Sequence, residues 1–180
     1  MQKAQALGFT PHKLAAFMRA EASQAGYVAA DIALTCETDG APFAPPCALF
    51  SSGELLVTVG NETGVGGRNQ EYALSAATRI AGSTHVVMAA VDTDGTDGPG
   101  GRFADDQGGL RCLAGGVVDG QTLDEAKAQN VDVWTALRRH STSAVLWALG
   151  SGVAATQNIS VNDFAVTLVL GRGQGAYERR

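Results

Sequence analysis

The chain has 180 residues, of which 45% are hydrophobic and 17% charged, and its formal net charge is -5. This length fits one ordinary globular domain rather than two, and the composition is not that of a disordered chain. An acidic chain without clusters of Lys and Arg is a poor candidate for binding nucleic acid or an anionic membrane surface.

The three cysteines, Cys36, Cys47 and Cys112, are widely spaced and form no C-x-x-C pair, which argues against a disulfide framework and a zinc site. We expect buried free thiols in a reducing compartment. The first residues lack an apolar segment of signal-peptide length, and the longest strongly apolar run, 86–91, is too short to cross a membrane. The sequence therefore predicts a soluble, cytoplasmic protein.

The first third of the chain predicts one helix, one short strand and one loop. Pro11 suits the first turn of a helix and precedes apolar residues at helical spacing, so we expect a helix over 11–26. The segment DIALT, residues 31–35, predicts a short strand. Residues 38–46 contain three prolines and a glycine, which is typical of a loop.

The middle third predicts two strands that flank a helix. Residues 54–60, ELLVTVG, form a β-branched apolar run that ends in glycine, as many strands do. Apolar rows at helical spacing predict a helix over 69–81. Residues 84–91 are nearly all apolar, which predicts a strand that is covered on both faces. An acidic, glycine-rich loop then occupies residues 92–109.

The last third predicts two helices, a polar loop and a final strand. The capping-box match TLDE predicts a helix that starts near Leu123, and Asp132 is the expected N-cap of a second helix. The polar loop over 151–163 precedes a strand over 164–171. Strands that alternate with helices predict a single layered α/β domain, with a mixed or mostly parallel sheet flanked by helices.

The stretch GNETGVGGRNQEYAL, residues 60–74, contains four glycines after a predicted strand, so its backbone N–H groups could bind an anion where the helix begins. Arg68 adds a planar fork of donors that suits carboxylate or phosphate. The known phosphate motifs do not match, because the Lys of a P-loop is absent and Asn69 stands where G-x-G-x-x-G needs glycine. The alternative is a tight strand-to-helix turn with Arg68 exposed.

Three carboxylates, those of Asp92, Asp94 and Asp97, follow the predicted strand over 84–91, where α/β sheets commonly bind ligands. They could hold Mg²⁺ or accept hydrogen bonds from a hydroxyl group, although the spacing is not that of an EF-hand. The alternative is a solvated turn whose aspartates cap the local backbone.

Further polar side chains lie later in the chain. The loop over 151–163 could cap backbone groups or line a pocket through Asn158, Ser160, Asn162 and Asp163. The three histidines, His12, His85 and His140, show no spacing typical of metal ligands, and no G-x-S-x-G motif marks a nucleophile.

Taken in chain order, GVGGRNQEYALSAA, VDTDGTDGPG and SVNDFAVTLVL resemble the MOFRL domain, the C-terminal domain of the type-2 glycerate kinases. Related chains were once labelled hydroxypyruvate reductases. The resemblance covers nearly the whole chain, and the GGRNQE and TDGTDGP strings are uncommon by chance. It implies a MOFRL-like domain over 1–180, with a leading helix and linking segment over 1–50, a core over 51–172, and no N-terminal kinase domain.

The resemblance implies ATP-dependent phosphorylation of the 2-hydroxyl group of D-glycerate, in a cleft between two domains. The larger N-terminal domain would supply a catalytic lysine and much of the nucleotide site. On this chain the implied catalytic residue is Arg68, which would clamp the substrate carboxylate or steady the transferring phosphoryl group. ATP and Mg²⁺ are the implied cofactors, with Asp94 and Asp97 as metal ligands. The implied substrate-binding residues are Gly66, Gly67, Asn69, Gln70, Asp94, Asp97, Asn162 and Asp163.

Two departures from the family pattern fall near the expected cleft. Family members usually carry T-G-P-T-x-T-N-V-N-D before the last strand, whereas residues 150–163 read GSGVAATQNISVND and only 161–163 clearly match. An Asn-Asp pair usually precedes the helix before that stretch, and the corresponding region here, 138–150, reads RRHSTSAVLWALG. Both departures indicate either a shifted substrate or lost catalysis.

The expected function is therefore the substrate-side half of a glycerate 2-kinase-like enzyme, incomplete alone because phosphoryl transfer needs positioning from all sides. The expected partners are a small hydroxy acid and either an N-terminal kinase domain on another chain or a second copy in a homo-oligomer. One alternative is a non-catalytic module that binds a small acid or assembles with a partner. Another is an NAD(P)-dependent hydroxypyruvate reductase, against which the failed G-x-G-x-x-G spacing counts. Arg68→Ala is expected to abolish ligand binding with little loss of fold.

Overall fold

Six strands and six helices make up the computed structural model, which describes residues 1–156 and 160–171. Their order is α1 (Gln2–Ala6), β1 (Thr10–Met18), α2 (Ala22–Asp39), β2 (Cys47–Gly53), α3 (Arg68–Ile80), β3 (Val86–Asp92), β4 (Gly115–Asp119), α4 (Thr122–Ala128), α5 (Val133–Arg138), α6 (Thr142–Ala148), β5 (Gly152–Val153) and β6 (Asp163–Val169).

All six strands belong to one sheet, in the order β1-β2-β6-β3-β4-β5. Strands β1 and β2 are parallel and are joined by α2, whereas every other neighbouring pair is antiparallel. The last strand of the described chain, β6, lies in the middle of the sheet between β2 and β3. The predicted fold class, a single α/β domain with helices flanking the sheet, is confirmed, and the sheet is mixed rather than mostly parallel.

Helices α2 and α3 pack against each other and against one face of the sheet. Small residues on α2 allow this close approach: a Cβ added at Gly26 would collide with Ser75 and the backbone of Tyr72 on α3. Tyr72 is 1% exposed, and its hydroxyl group contacts Ser51 and Thr167 on the sheet. Burial raises the pKa of Tyr72 to about 12. The aromatic ring and its polar end thus fix α3 over the central strands.

The opposite face of the sheet is only partly covered. Buried and half-buried residues alternate along β3 and β6, which is the pattern of strands packed on one side. Phe164 is 39% exposed and stacks on Phe50 with a ring-centroid distance of 5.9 Å. We call this surface the outer sheet face, and its members are Phe50, Val87, Ala89, Val91, Phe164, Val166 and Leu168. The prediction that residues 84–91 are covered on both faces is therefore wrong.

The first third of the chain differs from the sequence-based prediction. Residues 11–18 form a strand rather than a helix, because they pair with β2, and Pro11 is tolerated since β1 lies at the sheet edge. The expected strand over 31–35 lies inside α2, where small buried residues recur at helical spacing. In both places tertiary pairing outweighs local preference.

Three further differences from the sequence-based prediction concern β2, β4 and the start of α4. The strand expected over 54–60 lies earlier, as β2, and Leu56 keeps only an isolated bridge to Glu21. Strand β4 is not among the elements predicted from the sequence, and its first glycine is required because a Cβ at Gly115 would collide with the Ala90 carbonyl oxygen. Thr122 does not form the expected capping box, since its hydroxyl group donates to Asp119 at the strand end.

The polar loop expected over 151–163 contains the short strand β5, whereas five other expected elements are confirmed. Helix α3, strand β3, helices α4 and α5 and strand β6 lie within two residues of their predicted positions, and Asp132 caps α5 by accepting from Thr135 N at 2.9 Å. The three cysteines are buried and free. In the described part of the chain, we find no helix with the length and apolar character needed to span a membrane.

Candidate functional site

The candidate site lies where α3 begins, beside the ends of β3 and β6. Asp92 and Asp163 are register partners in these two strands, so their carboxylates lie side by side. Arg68, the first residue of α3, bridges them: Nε donates to both oxygens of Asp163 at 2.8 Å, and Nη2 donates to Asp92 Oδ2 at 2.8 Å. The guanidinium group is therefore held by two buried carboxylates.

Arg68 retains a free edge despite these bonds. Its side chain is 28% exposed, and Nη1 has no hydrogen-bond partner in the described part of the chain. Burial raises the pKa of Asp92, while the neighbouring Arg68 charge acts in the opposite direction. The two aspartates thus orient Arg68 and more than offset its single positive charge, and Nη1 is the nitrogen that can contact a ligand.

Asp97 caps α3 from a distant loop. Its Oδ1 accepts from Asn69 N at 3.1 Å, and its Oδ2 accepts from Gln70 N at 2.9 Å. The carboxylate is fully buried, and burial raises its pKa to about 6 against the opposing effect of these hydrogen bonds. The N–H groups that were expected to attract an external anion are therefore occupied by the protein's own carboxylate.

Asn69 and Gln70 are also fully buried, so neither side chain reaches solvent. Asn69 Nδ2 donates to Asp163 Oδ1 at 2.6 Å and to Asp97 Oδ1 at 3.2 Å. Gln70 Oε1 accepts from Ser143 Oγ at 2.6 Å, and Gln70 Nε2 donates to the Asp97 carbonyl oxygen at 3.0 Å. These contacts position α3, and Asn69, Gln70 and Asp97 are not among the residues that line the cleft described below, so their binding of substrate stays a prediction.

Three glycines of the 60–67 loop, Gly64, Gly66 and Gly67, allow close packing between chain segments. A Cβ at Gly66 would lie 2.7 Å from the His140 carbonyl oxygen, and one at Gly67 would collide with Asp97. A Cβ at Gly64 would lie 2.6 Å from the backbone carbon of His140. The loop therefore fixes the start of α3 against residues 139–142 while one side of it faces a cleft.

This cleft has a volume of about 500 Å³ and is lined by residues 54–57, 59, 62–68 and 98–100 together with Glu71 and His140. Glu71 is 4% exposed, and its Oε1 lies 2.6 Å from His140 Nδ1. Burial raises the pKa of Glu71, and the hydrogen bond with His140 opposes this shift. This pair is not among the site residues predicted from the sequence. Only the three-residue spacing between Arg68 and Glu71 could have indicated that Glu71 shares the same side of α3.

Two other expected site residues do not line the cleft. Asp94 Oδ1 accepts from Thr96 N at 2.8 Å and from Thr96 Oγ1 at 2.7 Å, as in a local turn. Asn162 is exposed with a φ of 68°, and its carbonyl oxygen accepts from Thr93 Oγ1 at 2.8 Å. Asn158 lies outside the described residues.

A magnesium site at Asp94 and Asp97 does not fit this arrangement. Both oxygens of Asp97 accept hydrogen bonds in a fully buried position, and Asp94 uses one oxygen in its own turn. Among residues 1–156 and 160–171, no three His, Cys, Asp or Glu side chains gather as metal ligands would. We therefore assign no chemical step to a metal on this chain.

Comparison with known proteins agrees with the fold. Residues 47–163 match the MOFRL family. The chain is 34% identical over 173 residues to the glycerate 2-kinase of Pyrococcus horikoshii, covering 95% of this chain and 36% of that protein. It is 34% identical over 165 residues to the D-glycerate 2-kinase of Thermotoga maritima, covering 91% of this chain and 36% of that protein.

The crystal structure of a glycerate kinase from Thermotoga maritima superposes with a TM-score of 0.84 at 33% identity, covering 94% of this chain and 38% of that one. The chain thus spans only about 36% of the length of the two kinases. The family match includes β2, α3, β3 and the aspartates that hold Arg68. The chain belongs to the MOFRL family.

Proposed function

We propose that this chain is the substrate-side part of a glycerate 2-kinase-like enzyme, whose cleft binds a small hydroxy acid through Arg68. The single observation that carries the proposal is the fixed guanidinium of Arg68 at the wall of the cleft, with Nη1 unengaged by the described residues. Two carboxylates hold its other nitrogens, so the free edge is pre-oriented for a ligand carboxylate or phosphoryl group.

The names of the relatives support the chemical class of the ligand. Two of them are glycerate 2-kinases, and the aligned part is about 36% of each. ATP would be the phosphoryl donor, bound by a part of the enzyme that corresponds to the other portion of these relatives. This chain contributes no P-loop lysine, and the N–H groups of Asn69 and Gln70 are already bonded to Asp97. Its share of the reaction is therefore to bind and orient the acceptor.

The outer sheet face supports a partner for this chain. Its seven apolar residues form a contiguous surface around the Phe50–Phe164 stack, and such surfaces commonly mark interaction sites. The partner would be a kinase domain on another chain or elsewhere in a longer protein, or a second copy of this chain.

Calorimetric titration with D-glycerate tests the proposal, using Arg68→Lys as the variant. Lysine keeps a positive charge between Asp92 and Asp163 but has no nitrogen that corresponds to the free Nη1 of Arg68. We therefore expect a folded protein that no longer binds D-glycerate. Arg102→Lys is the matched control, because Arg102 is an exposed arginine that pairs only with Asp105 among the described residues. A saturating ligand at about 100 times its Kd should also stabilise the wild type by about 2.7 kcal/mol. Equal binding by wild type and Arg68→Lys would overturn the role of Arg68.

The kinase role is tested separately. ADP release from ATP and D-glycerate is measured with this chain alone and with the N-terminal part of the Pyrococcus horikoshii relative added. We expect turnover only in the mixture, because phosphoryl transfer requires groups on both sides of the acceptor. Binding of D-glycerate without turnover in any mixture would instead favour the non-catalytic binding module.

A further inference from the structure

We infer that His140, held by Glu71, is the residue that binds the hydroxyl group of the ligand in this cleft, through its Nε2 atom. The inference rests on the proposed function and adds a specificity-determining contact opposite Arg68. Neither the family match nor the names of the relatives assign a role to this histidine.

The first observation is the hydrogen bond between His140 Nδ1 and Glu71 Oε1, at 2.6 Å. Glu71 is almost fully buried on α3, whereas the His140 side chain is 21% exposed and lines the cleft. When Glu71 acts as the acceptor, Nδ1 is the donor of this hydrogen bond, and in that tautomer the other ring nitrogen, Nε2, can accept a hydrogen bond. Nε2 has no partner among the described residues, and the ring lines the cleft.

The second observation is the backbone of His140. Its φ is 52°, in the left-handed region that most residues other than glycine avoid. The conformation is imposed from two sides, by the hydrogen bond from His140 N to the Leu137 carbonyl oxygen and by the close approach of Gly64 and Gly66. Such strained positions concentrate at functional sites because the surrounding structure must stabilise them.

The third observation is that Arg68, Glu71 and His140 line the same cleft. Arg68 and Glu71 are three residues apart on α3, so their Cβ atoms are about 5–6 Å apart on the same side of the helix. Both residues line the cleft, and His140 extends from Glu71. A hydroxy acid bound in this cleft would therefore meet a carboxylate site at Arg68 and a hydroxyl site at His140.

The charges around the cleft favour a hydroxyl group over a second carboxylate at His140. Glu54 and Glu62 line the same cleft, and Glu21 lies close enough to interact electrostatically with His140. A second ligand carboxylate beside these groups and Glu71 would be repelled. We therefore expect D-glycerate to bind more tightly than tartronate, which has two carboxylates.

A ligand-truncation experiment isolates this contact. D-glycerate, D-lactate and 3-hydroxypropionate, of which the last two each lack one hydroxyl group, are titrated calorimetrically into wild type and His140→Asn. Asparagine tolerates the left-handed conformation, so the variant keeps the backbone of this position. His85→Asn is the matched control, because His85 also places Nδ1 near a glutamate, Glu37, at 3.4 Å, but lies outside this cleft.

We expect His140→Asn to weaken the binding of D-glycerate about tenfold, because one hydrogen bond is lost. The binding of one of the two truncated acids should be unchanged. An equal loss for all three acids, or no loss, would overturn the His140 assignment while leaving the proposed function intact. If the wild type binds none of the acids, both fail. His85→Asn should bind all three as the wild type does.

A second measurement does not depend on the folding of any variant. Long-range proton–nitrogen spectra of the wild type should give the tautomer of His140 with the proton on Nδ1, and D-glycerate should shift the Nε2 signal. A proton on Nε2 in the free protein, or an Nε2 signal that D-glycerate leaves unchanged, would contradict the assignment.

Discussion

Asp92 and Asp163 lie directly opposite each other on antiparallel strands, and both bind the guanidinium group of Arg68. Like charges in this relation repel each other and destabilise a sheet. A single cation placed between them turns the repulsion into two ion pairs. Arg68 is thus part of the fold as well as the candidate ligand contact, and the two roles need separate experiments.

Arg68→Ala should destabilise the protein, contrary to the sequence-based expectation of little loss of fold. Removing the cation leaves two buried carboxylates unpaired, and breaking a buried pair costs about 3–5 kcal/mol. Because Arg68 is partly exposed, we expect about 2–3 kcal/mol, measured by urea unfolding. Arg102→Ala, at an exposed ion pair, should change stability by less than about 0.5 kcal/mol. Equal stabilities for the two variants would show that Arg68 does not hold the aspartates together.

Asp97 should make the folded protein less stable as the pH rises toward neutrality. Its pKa is raised to about 6 by burial, above the ordinary value of about 4, so the folded state binds the proton more strongly than the unfolded state does. Its contribution is fully present below about pH 4 and is lost through about pH 6, with a slope of at most about 1.4 kcal/mol per pH unit.

Unfolding free energies of wild type and Asp97→Asn, measured from pH 4 to 7, isolate this contribution as their difference. We expect the variant to lose stability at every pH, because its amide group would face the donors of Asn69 and Gln70. The loss should be largest at the acidic end. A difference that does not change with pH would contradict the raised pKa.

Cys47 should be unreactive in the folded protein. Burial raises the pKa of its thiol to about 12, and Cys36 beside it is also fully buried. Because the thiolate is the reactive form, iodoacetamide at about pH 8 should label neither residue until urea unfolds the chain. Mass spectrometry of the labelled peptides is the measurement. Rapid labelling of Cys47 without denaturant would mean that β2 opens locally.

The outer sheet face should make the isolated domain self-associate at high concentration. Phe50 and Phe164 present stacked, partly exposed rings at its centre. We expect Phe164→Glu to shift sedimentation toward the monomer without a loss of stability. Val28→Glu is the control, because Val28 is 59% exposed on α2, which packs against the opposite face of the sheet. Identical sedimentation of wild type and Phe164→Glu would exclude this face as an association surface.

The elements that could be predicted from the sequence are those with a strong local signal. Helix α3 carries ten buried residues among its thirteen, and strand β3 is apolar throughout up to its final Asp92, so both could be located from periodicity and composition. The structure shows that β1, α2 and β2 depend instead on pairing between distant segments. Pro11 favours a helix over 11–26 and the DIALT segment favours a strand over 31–35, and the pairing of distant segments outweighs both local preferences.

The sequence predicts some of the residues of the candidate site but not the contacts between them. Arg68 was identified from its motif, but its partner Asp163 is 95 residues away in the chain, and the Glu71–His140 bond spans 69 residues. Asp97 looked like a ligand because it is acidic in a glycine-rich loop. Its function as a helix cap depends on the folding of residues 92–114 back onto α3, which no local pattern reveals.

The central position of β6 has a consequence for how the protein folds. The sheet cannot close until residues 163–169 are available, since β2 and β3 each pair with β6 and not with each other. During synthesis, the edges of β2 and β3 that later pair with β6 therefore stay unpaired until β6 leaves the ribosome. The same strand delivers Asp163 to Arg68, so the sheet and the candidate site are completed in a single late event.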